Sequence, residues 1–526
     1  MFVRQTPVAR YCKGLSRISN FRFRISRVVV VCVICLCWFA YPDVHAQPYT
    51  WTTLAGGLGD FDGTNLNAGF FQPYGIAADS TGRLFVADTG NDLIRNVSQA
   101  GTNWVVSTLA GSISGFVDGT NSDAQFDFPA GVATDATGNL FVADFYNNAI
   151  RKVSPSGTNW VVTTVAGNGS RGTADGTNDV ARFYHPTGVA LDGAGRIYVA
   201  DEGNNTVRRI VPSGTNWVVT TLAGLAGSSG TTDGTNTSAR FAGPWGIAVD
   251  SAGRVYVSDF ISSRLRRVVQ VGTNWVVTTI AGSGYGAADG TGNLAQFNYP
   301  MGLAVDGGGN LYVGDYYNDA IRKVQPMGTN WVVTTIGGAA GVSGNQDGSG
   351  TNALFNLPRG IAVNSSGNLF VADTGNHTIR MGQPALVLRI NLSGNQIILS
   401  CPSSANNFLL ETTAAVAGAG TVWSTVTNAT ISGNDFIVPR NLTTRAAYYR
   451  LKQMGQPALV LRIALSGNQI VLSCPSSANN FVLETTAAIA ATGTVWSPVT
   501  NATVSGNDFI VPRNLAIRGA FFRLRQ

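Results

Sequence analysis

The chain has 526 residues, of which 44% are hydrophobic, 12% are charged and 63 are glycine. It is too long for one typical domain and too apolar for a disordered chain. Scarce charge, abundant glycine and β-branched residues, and the lack of Lys/Glu-rich stretches exclude a helical bundle or coiled coil and favour short strands joined by tight turns.

The formal net charge of +6 is concentrated at the start of the chain. Residues 1–46 hold Arg4, Arg10, Lys13, Arg17, Arg22, Arg24 and Arg27 against Asp43 alone, which leaves the remainder neutral. A basic segment ending at Arg27, an apolar run from Val28 to about Ala40 and the small-x-small triplet Val44-His45-Ala46 read as a secretory signal peptide over 1–46. The apolar run is short for a bilayer, so no membrane span is expected after cleavage. The mature chain is expected to be secreted, periplasmic or held at the cell surface. It keeps Cys401 and Cys474, which occupy equivalent positions of one repeat and read as two small buried thiols rather than a disulfide scaffold.

A Pro-x-Gly-[Ile/Val/Leu]-Ala tract starts at Pro73, Pro129, Pro186, Pro244, Pro300 and Pro358, at spacings of 56, 57, 58, 56 and 58 residues. In the third unit the template runs Pro186-Thr-Gly-Val-Ala-Leu-Asp192, Ile197-Tyr-Val-Ala-Asp201, Val207-Arg-Arg-Ile210 and Gly214-Thr-Asn-Trp-Val-Val-Thr-Thr-Leu-Ala-Gly224, then a long loop containing Asp233-Gly-Thr. Apolar or alternating runs between turn residues predict four antiparallel strands, a to d, in each unit. No sheet this small buries its own apolar faces, so the six must stack in a ring, an all-β six-bladed β-propeller. The sixth unit stops after Thr378-Ile-Arg380 and lacks strand d. Tyr49-Thr-Trp-Thr-Thr-Leu-Ala-Gly56 matches that strand, with Tyr49 at the Trp position, and is expected to close the ring from the N-terminal side.

These units resemble NHL repeats, on Pro-x-Gly-Ile-Ala-Val-Asp (Pro244 to Asp250) and Leu-Phe-Val-Ala-Asp-Thr-Gly-Asn-His-Thr-Ile-Arg (Leu369 to Arg380). The resemblance implies the propeller over 47–381. It does not select a function, because such propellers include binding scaffolds, RNA readers and a few enzymes. From Gly382 a second repeat begins and returns at Gly455, giving units over 382–454 and 455–526. Each is expected to hold about six strands around Trp423 or Trp496, and resembles the small fibronectin III-like β-sandwiches appended to secreted bacterial proteins.

The loop before strand a and the b–c turn open on the same face of such a propeller. Residues there vary between units while their flanks stay constant, as on a scaffold with a recognition face. The candidate ligand-binding residues are Tyr74, Phe145, Tyr146, Thr187, Glu202, Trp245, Phe260, Met301, Tyr316, Tyr317 and Arg359. Their aromatic rings suit a protein or glycan ligand. The once-per-unit Asp88, Asp144, Asp201, Asp259, Asp315 and Asp373 are expected to accept hydrogen bonds from turn amides. Asp62, Asp118, Asp175, Asp233, Asp289 and Asp347 read as turn residues. Arg95, Arg151, Arg208, Arg266, Arg322 and Arg380 are expected to bond between blades.

The sequence offers no catalytic constellation, no metal-ligand set and no cofactor motif. The neutral mature chain gives no basic face for nucleic acid. Amidating lyases of this fold use a His-bound metal, for which His185 and His377 are too few. A calcium-dependent lactonase-like hydrolase or lyase is the alternative to a non-catalytic binding scaffold, with Glu202 and Asn364 as the groups that break the repeat pattern.

Overall fold

The structure, a computed structural model, describes residues 49–384 without a break and, beyond them, only the backbone of strands between residues 389 and 525. The expected signal peptide, Cys401, Cys474, Trp423 and Trp496 lie outside the described residues. No helix among the described residues is long and apolar enough to cross a membrane.

Residues 49–384 form six antiparallel sheets arranged as the blades of a propeller. In the third blade strand a is Pro186–Leu191, b is Ile197–Asp201, c is Thr206–Ser213 and d is Asn216–Ala223. Every b strand is buried along its whole length because it packs against a neighbouring blade on both faces. Side chains alternate across a strand. Tyr198 and Ala200 therefore join one core cluster with Val255 and Val257 of the fourth blade, while Ile197 and Val199 join another with Phe141 and Ala143 of the second.

Each blade has a fifth strand that the sequence pattern left as loop. The Gly-Thr or Gly-Ser pair after each repeat aspartate lies outside strand d, as where Gly176 and Thr177 pair with Val219 and Val218. Two residues are too few to show an alternating pattern.

Ring closure follows the sequence expectation. Tyr49–Gly56 pairs with Thr378–Pro384 on one side and with Gly348–Ser349 on the other, which makes it strand d of the sixth blade. It carries one enlarged residue, since Trp51 stands where the other blades have Val106, Val162, Val219, Val277 and Val333. The space comes from two glycines: a Cβ on Gly337 would lie 2.4 Å from the indole, and one on Gly382 2.5 Å from it. Other blades place Ala at the first position and Val or Ile at the second. Trp51 is fully buried and donates its indole N–H to the Ile336 carbonyl at 3.0 Å. The last strand of the propeller, paired with Tyr49–Gly56, runs to Pro384, three residues into the segment assigned by sequence to the first C-terminal repeat.

The C-terminal strands form two seven-stranded sheets that are not divided by repeat. Ile390 pairs with Phe522 in one, and strands Ala446–Gln453 and Leu461–Ser466 pair in the other, so each sheet draws on both repeats.

Candidate functional site

In every blade the proline that opens strand a pairs with the aspartate that ends strand b. The residues after both therefore gather at one end of the propeller axis. The Pro-x-Gly glycines set how tightly. A Cβ on Gly75 would lie 2.6 Å from the Ala130 carbonyl, on Gly131 2.2 Å from Thr187, on Gly188 2.5 Å from Trp245, on Gly246 2.1 Å from Met301, on Gly302 2.0 Å from Arg359 and on Gly360 2.0 Å from Tyr74. Each inner strand thus touches the next around a closed circle, at a distance only glycine permits. The result is a narrow axial neck lined by these glycines and by Ile76, Val132, Val189, Ile247, Leu303 and Ile361.

Above the neck lies a bowl of about 370 Å³. It brings together nine of the eleven residues expected from sequence: Tyr74, Phe145, Tyr146, Trp245, Phe260, Met301, Tyr316, Tyr317 and Arg359. The rings form a continuous wall. Phe128 meets Tyr74 at 5.1 Å and Phe145 at 5.6 Å, and Trp245 follows at 6.3 Å from Phe145. Phe260 lies 5.3 Å from Trp245, Tyr299 5.5 Å from Phe260, and Tyr317 5.1 Å from Tyr299. Arg359 closes the circuit, its guanidinium carbon 3.6 Å from the Tyr74 centroid and 4.5 Å from that of Tyr316. Tyr146 and Tyr317 are half exposed at the rim, whereas Tyr74, Met301 and Tyr316 are buried at its base.

Two expected residues do not join the bowl. Thr187 is buried and donates its hydroxyl to the Trp245 carbonyl at 2.9 Å, so it braces the neck. Its side chain is too short to reach the rim. Glu202 opens the Glu202–Asn204 turn of the third blade outside the lining, and burial, followed by repulsion from Asp201, raises its carboxyl above the ordinary value. Asn364, the other half of the hydrolase alternative, caps the a–b hairpin by accepting from the Ser366 and Asn368 amides at 3.1 and 3.0 Å. That hairpin follows Val363, at the opposite end of strand a from Pro358, so the two groups do not converge.

Phe128 and Tyr299 line the bowl although sequence reasoning passed over them. Both precede a repeat proline and sit at positive φ, 61° and 56°, which is uncommon for a bulky residue. The variability of that position, Gln72, Phe128, His185, Gly243, Tyr299 and Leu357, was the available signal. A side chain of the preceding blade holds each in place: Asp92 accepts the Phe128 amide at 2.7 Å, Asn148 that of His185 at 3.0 Å, and Asp319 that of Leu357 at 2.8 Å.

The once-per-blade charges belong to the frame. Asp201 accepts the Tyr184 amide at 2.8 Å, as expected of a turn acceptor, and also receives Arg208 Nη1 at 2.9 Å. Arg208 Nη2 reaches Asp175 at 2.7 Å, and Asp175 in turn accepts from the Thr221 hydroxyl at 2.9 Å. The long-loop aspartates are therefore ion-pair partners as well as turn residues. The arginine bonds within its own blade, not between blades, because the long loop that leaves the preceding unit brings Asp175 and the Gly176–Thr177 strand onto the sheet of the third blade. The pattern repeats in all six blades. Burial outweighs these bonds and pushes the carboxyls of Asp88, Asp144, Asp201 and Asp373 up to about 6. Among the described residues no group of three or more His, Cys, Asp or Glu is arranged to hold a metal ion.

The NHL repeat family model matches residues 126–153, 183–210, 241–267 and 355–380. The chain is 30% identical over 347 residues to the chloroplastic protein SUPPRESSOR OF QUENCHING 1 of Arabidopsis thaliana, covering 62% of this chain and 32% of that protein. It is 29% identical over 332 residues to human NHL repeat-containing protein 2, covering 57% of this chain and 45% of that one. The chain thus spans less than half the length of either relative. A structural-genomics protein of unknown function from Bacteroides thetaiotaomicron superposes with a TM-score of 0.50 at 21% identity, over 64% of this chain and 75% of that one. That likeness concerns the fold. Four of the six units thus match the NHL repeat, and the six together build a six-bladed propeller.

Proposed function

We propose that the chain is a secreted or surface-held, non-catalytic binding protein whose propeller takes a glycan or protein group in the aromatic bowl. The observation that carries this reading is the bowl itself: side chains from five blades meet in one concave ring while the repeated charges are consumed by the frame. Small-molecule sites are typically concave and mostly apolar, with a few placed polar groups, over about 300–1,000 Å³. The basic and apolar leader supports export.

The test is a glycan-array and pull-down screen with the secreted chain, set beside a Trp245→Ala variant. A ligand retained by the parent and lost by the variant is expected. Retention of every captured ligand by the variant overturns the assignment of the bowl.

A further inference from the structure

Arg359, half-buried where strand a of the sixth blade begins, differs from the six fully buried strand-c arginines. The six strand-c arginines each bridge two aspartates. Arg359 forms no ion pair among the described residues. Its one side-chain hydrogen bond there runs from Nη2 to the Tyr316 hydroxyl at 3.0 Å. The guanidinium lies between the faces of Tyr74 and Tyr316, with the Trp245 ring centroid 5.7 Å away. The equivalent positions of the other blades hold Tyr74, Ala130, Thr187, Trp245 and Met301, so this charge is peculiar to one blade.

A cation partly withdrawn from water without a counter-charge is costly, and the ring faces offset only part of that cost. The arrangement leaves a guanidinium held against two rings with unused N–H donors and no acid in the lining. From this we propose, resting on the binding reading above, that the bowl takes a ring-shaped ligand bearing a carboxylate, an acidic sugar unit, with Arg359 as its anchor. A single planar fork matches a planar carboxylate, and the lining holds no second cation that a phosphate dianion would call for. The sugar assignment follows from the wall. Ring faces accept the C–H face of a pyranose, while the hydroxyls of Tyr146 and Tyr317 at the open rim are placed to meet its hydroxyl groups. The bowl's volume suits a terminal unit or a pair of units rather than a long chain.

The experiment is calorimetric titration of the secreted chain with digalacturonate, its methyl ester, benzoate and inorganic phosphate, repeated on Arg359→Gln, with melting followed to confirm folding. Digalacturonate is expected to bind. Esterification and Arg359→Gln should each weaken binding roughly 10- to 100-fold, and the two changes together little further, since both delete the same charged hydrogen bonds. Should Arg359→Gln fail to fold, the acid and ester on the parent chain still decide. Equal binding of acid and ester overturns the carboxylate anchor while leaving the bowl a binding site. Benzoate or phosphate binding as tightly as digalacturonate overturns the acidic-sugar assignment. If neither digalacturonate nor its ester binds, and the screen finds no ligand that depends on Trp245, the binding reading fails with it.

Discussion

His377, in the last blade, accepts the backbone N–H of Gln72, in the first, through Nδ1 at 3.0 Å, across 305 residues of sequence. It is the closing member of a circle of latches. In each blade a residue in the left-handed conformation offers a side-chain acceptor to the residue before the next blade's proline, with Asp92, Asn148, Asn205, Ser263 and Asp319 in the other places. His377 stands out among the six because protonation removes its acceptor.

Burial holds the His377 imidazole below its ordinary value. A base whose folded pKa is depressed contributes stability that is complete above its unfolded pKa of about 6.5 and lost as pH falls through the folded value. His377→Asn keeps an acceptor and tolerates the left-handed backbone, as Asn148 and Asn205 do. Between pH 7 and 5 the parent should lose melting temperature relative to His377→Asn. The buried aspartates act in the opposite sense, gaining stability as pH falls through about 6, but they are common to both chains and cancel in the difference. Parallel pH profiles for the two chains would rule out the latch as a titrating group.

Trp51→Ala should lower stability by about 3–5 kcal/mol, because the indole fills the space left by Gly337 and Gly382 and nothing nearby can collapse into it. Deleting residues 49–56 should do more, since it also exposes the paired edge of Thr378–Pro384. Thermal melting of the three chains is the measurement. Equal melting of the deletion and the parent excludes closure by this strand.

Arg208→Met should cost about 3–5 kcal/mol, because it leaves the carboxylate of Asp201 buried and uncompensated. Adding Asp201→Asn to it should recover part of that loss, since the stranded charge is then gone. Denaturant midpoints of the single and double variants provide the comparison, and a double variant less stable than the single one contradicts the charge explanation.

Gly302→Ala should be among the most damaging small substitutions in the chain. Its methyl would meet the Arg359 carbonyl at 2.0 Å, a main-chain group that cannot step aside without opening the ring. Gly328→Ala, at a hairpin tip where nothing lies within 4 Å, is the control and should cost only the strain of its positive φ. Hydrogen exchange of the inner-strand amides distinguishes a loosened neck from a general loss of stability. Equal effects of the two substitutions count against the close-approach account.

Composition, the regular spacing of Pro-x-Gly and the displaced strand at Tyr49–Gly56 were enough to read the propeller and its closure, because repeated local patterns leave a ring as the one way to bury six small sheets. Nine bowl residues were legible for the same reason, since variable positions stood out against constant flanks. What the repeat could not tell was direction. Thr187 and Trp245 occupy one template position, yet the short side chain bonds down into the neck and the long one rises into the wall. Phe128 and Tyr299 entered the bowl through a left-handed backbone set by a side chain of the preceding blade, a contact more than thirty residues away. The partners of Arg208 lie 7 and 33 residues from it in sequence, and only pairing of the strands brings them together. Sequence determined which elements form and how they close. The tertiary structure decided which side chains face the axis, because that depends on where neighbouring blades leave room.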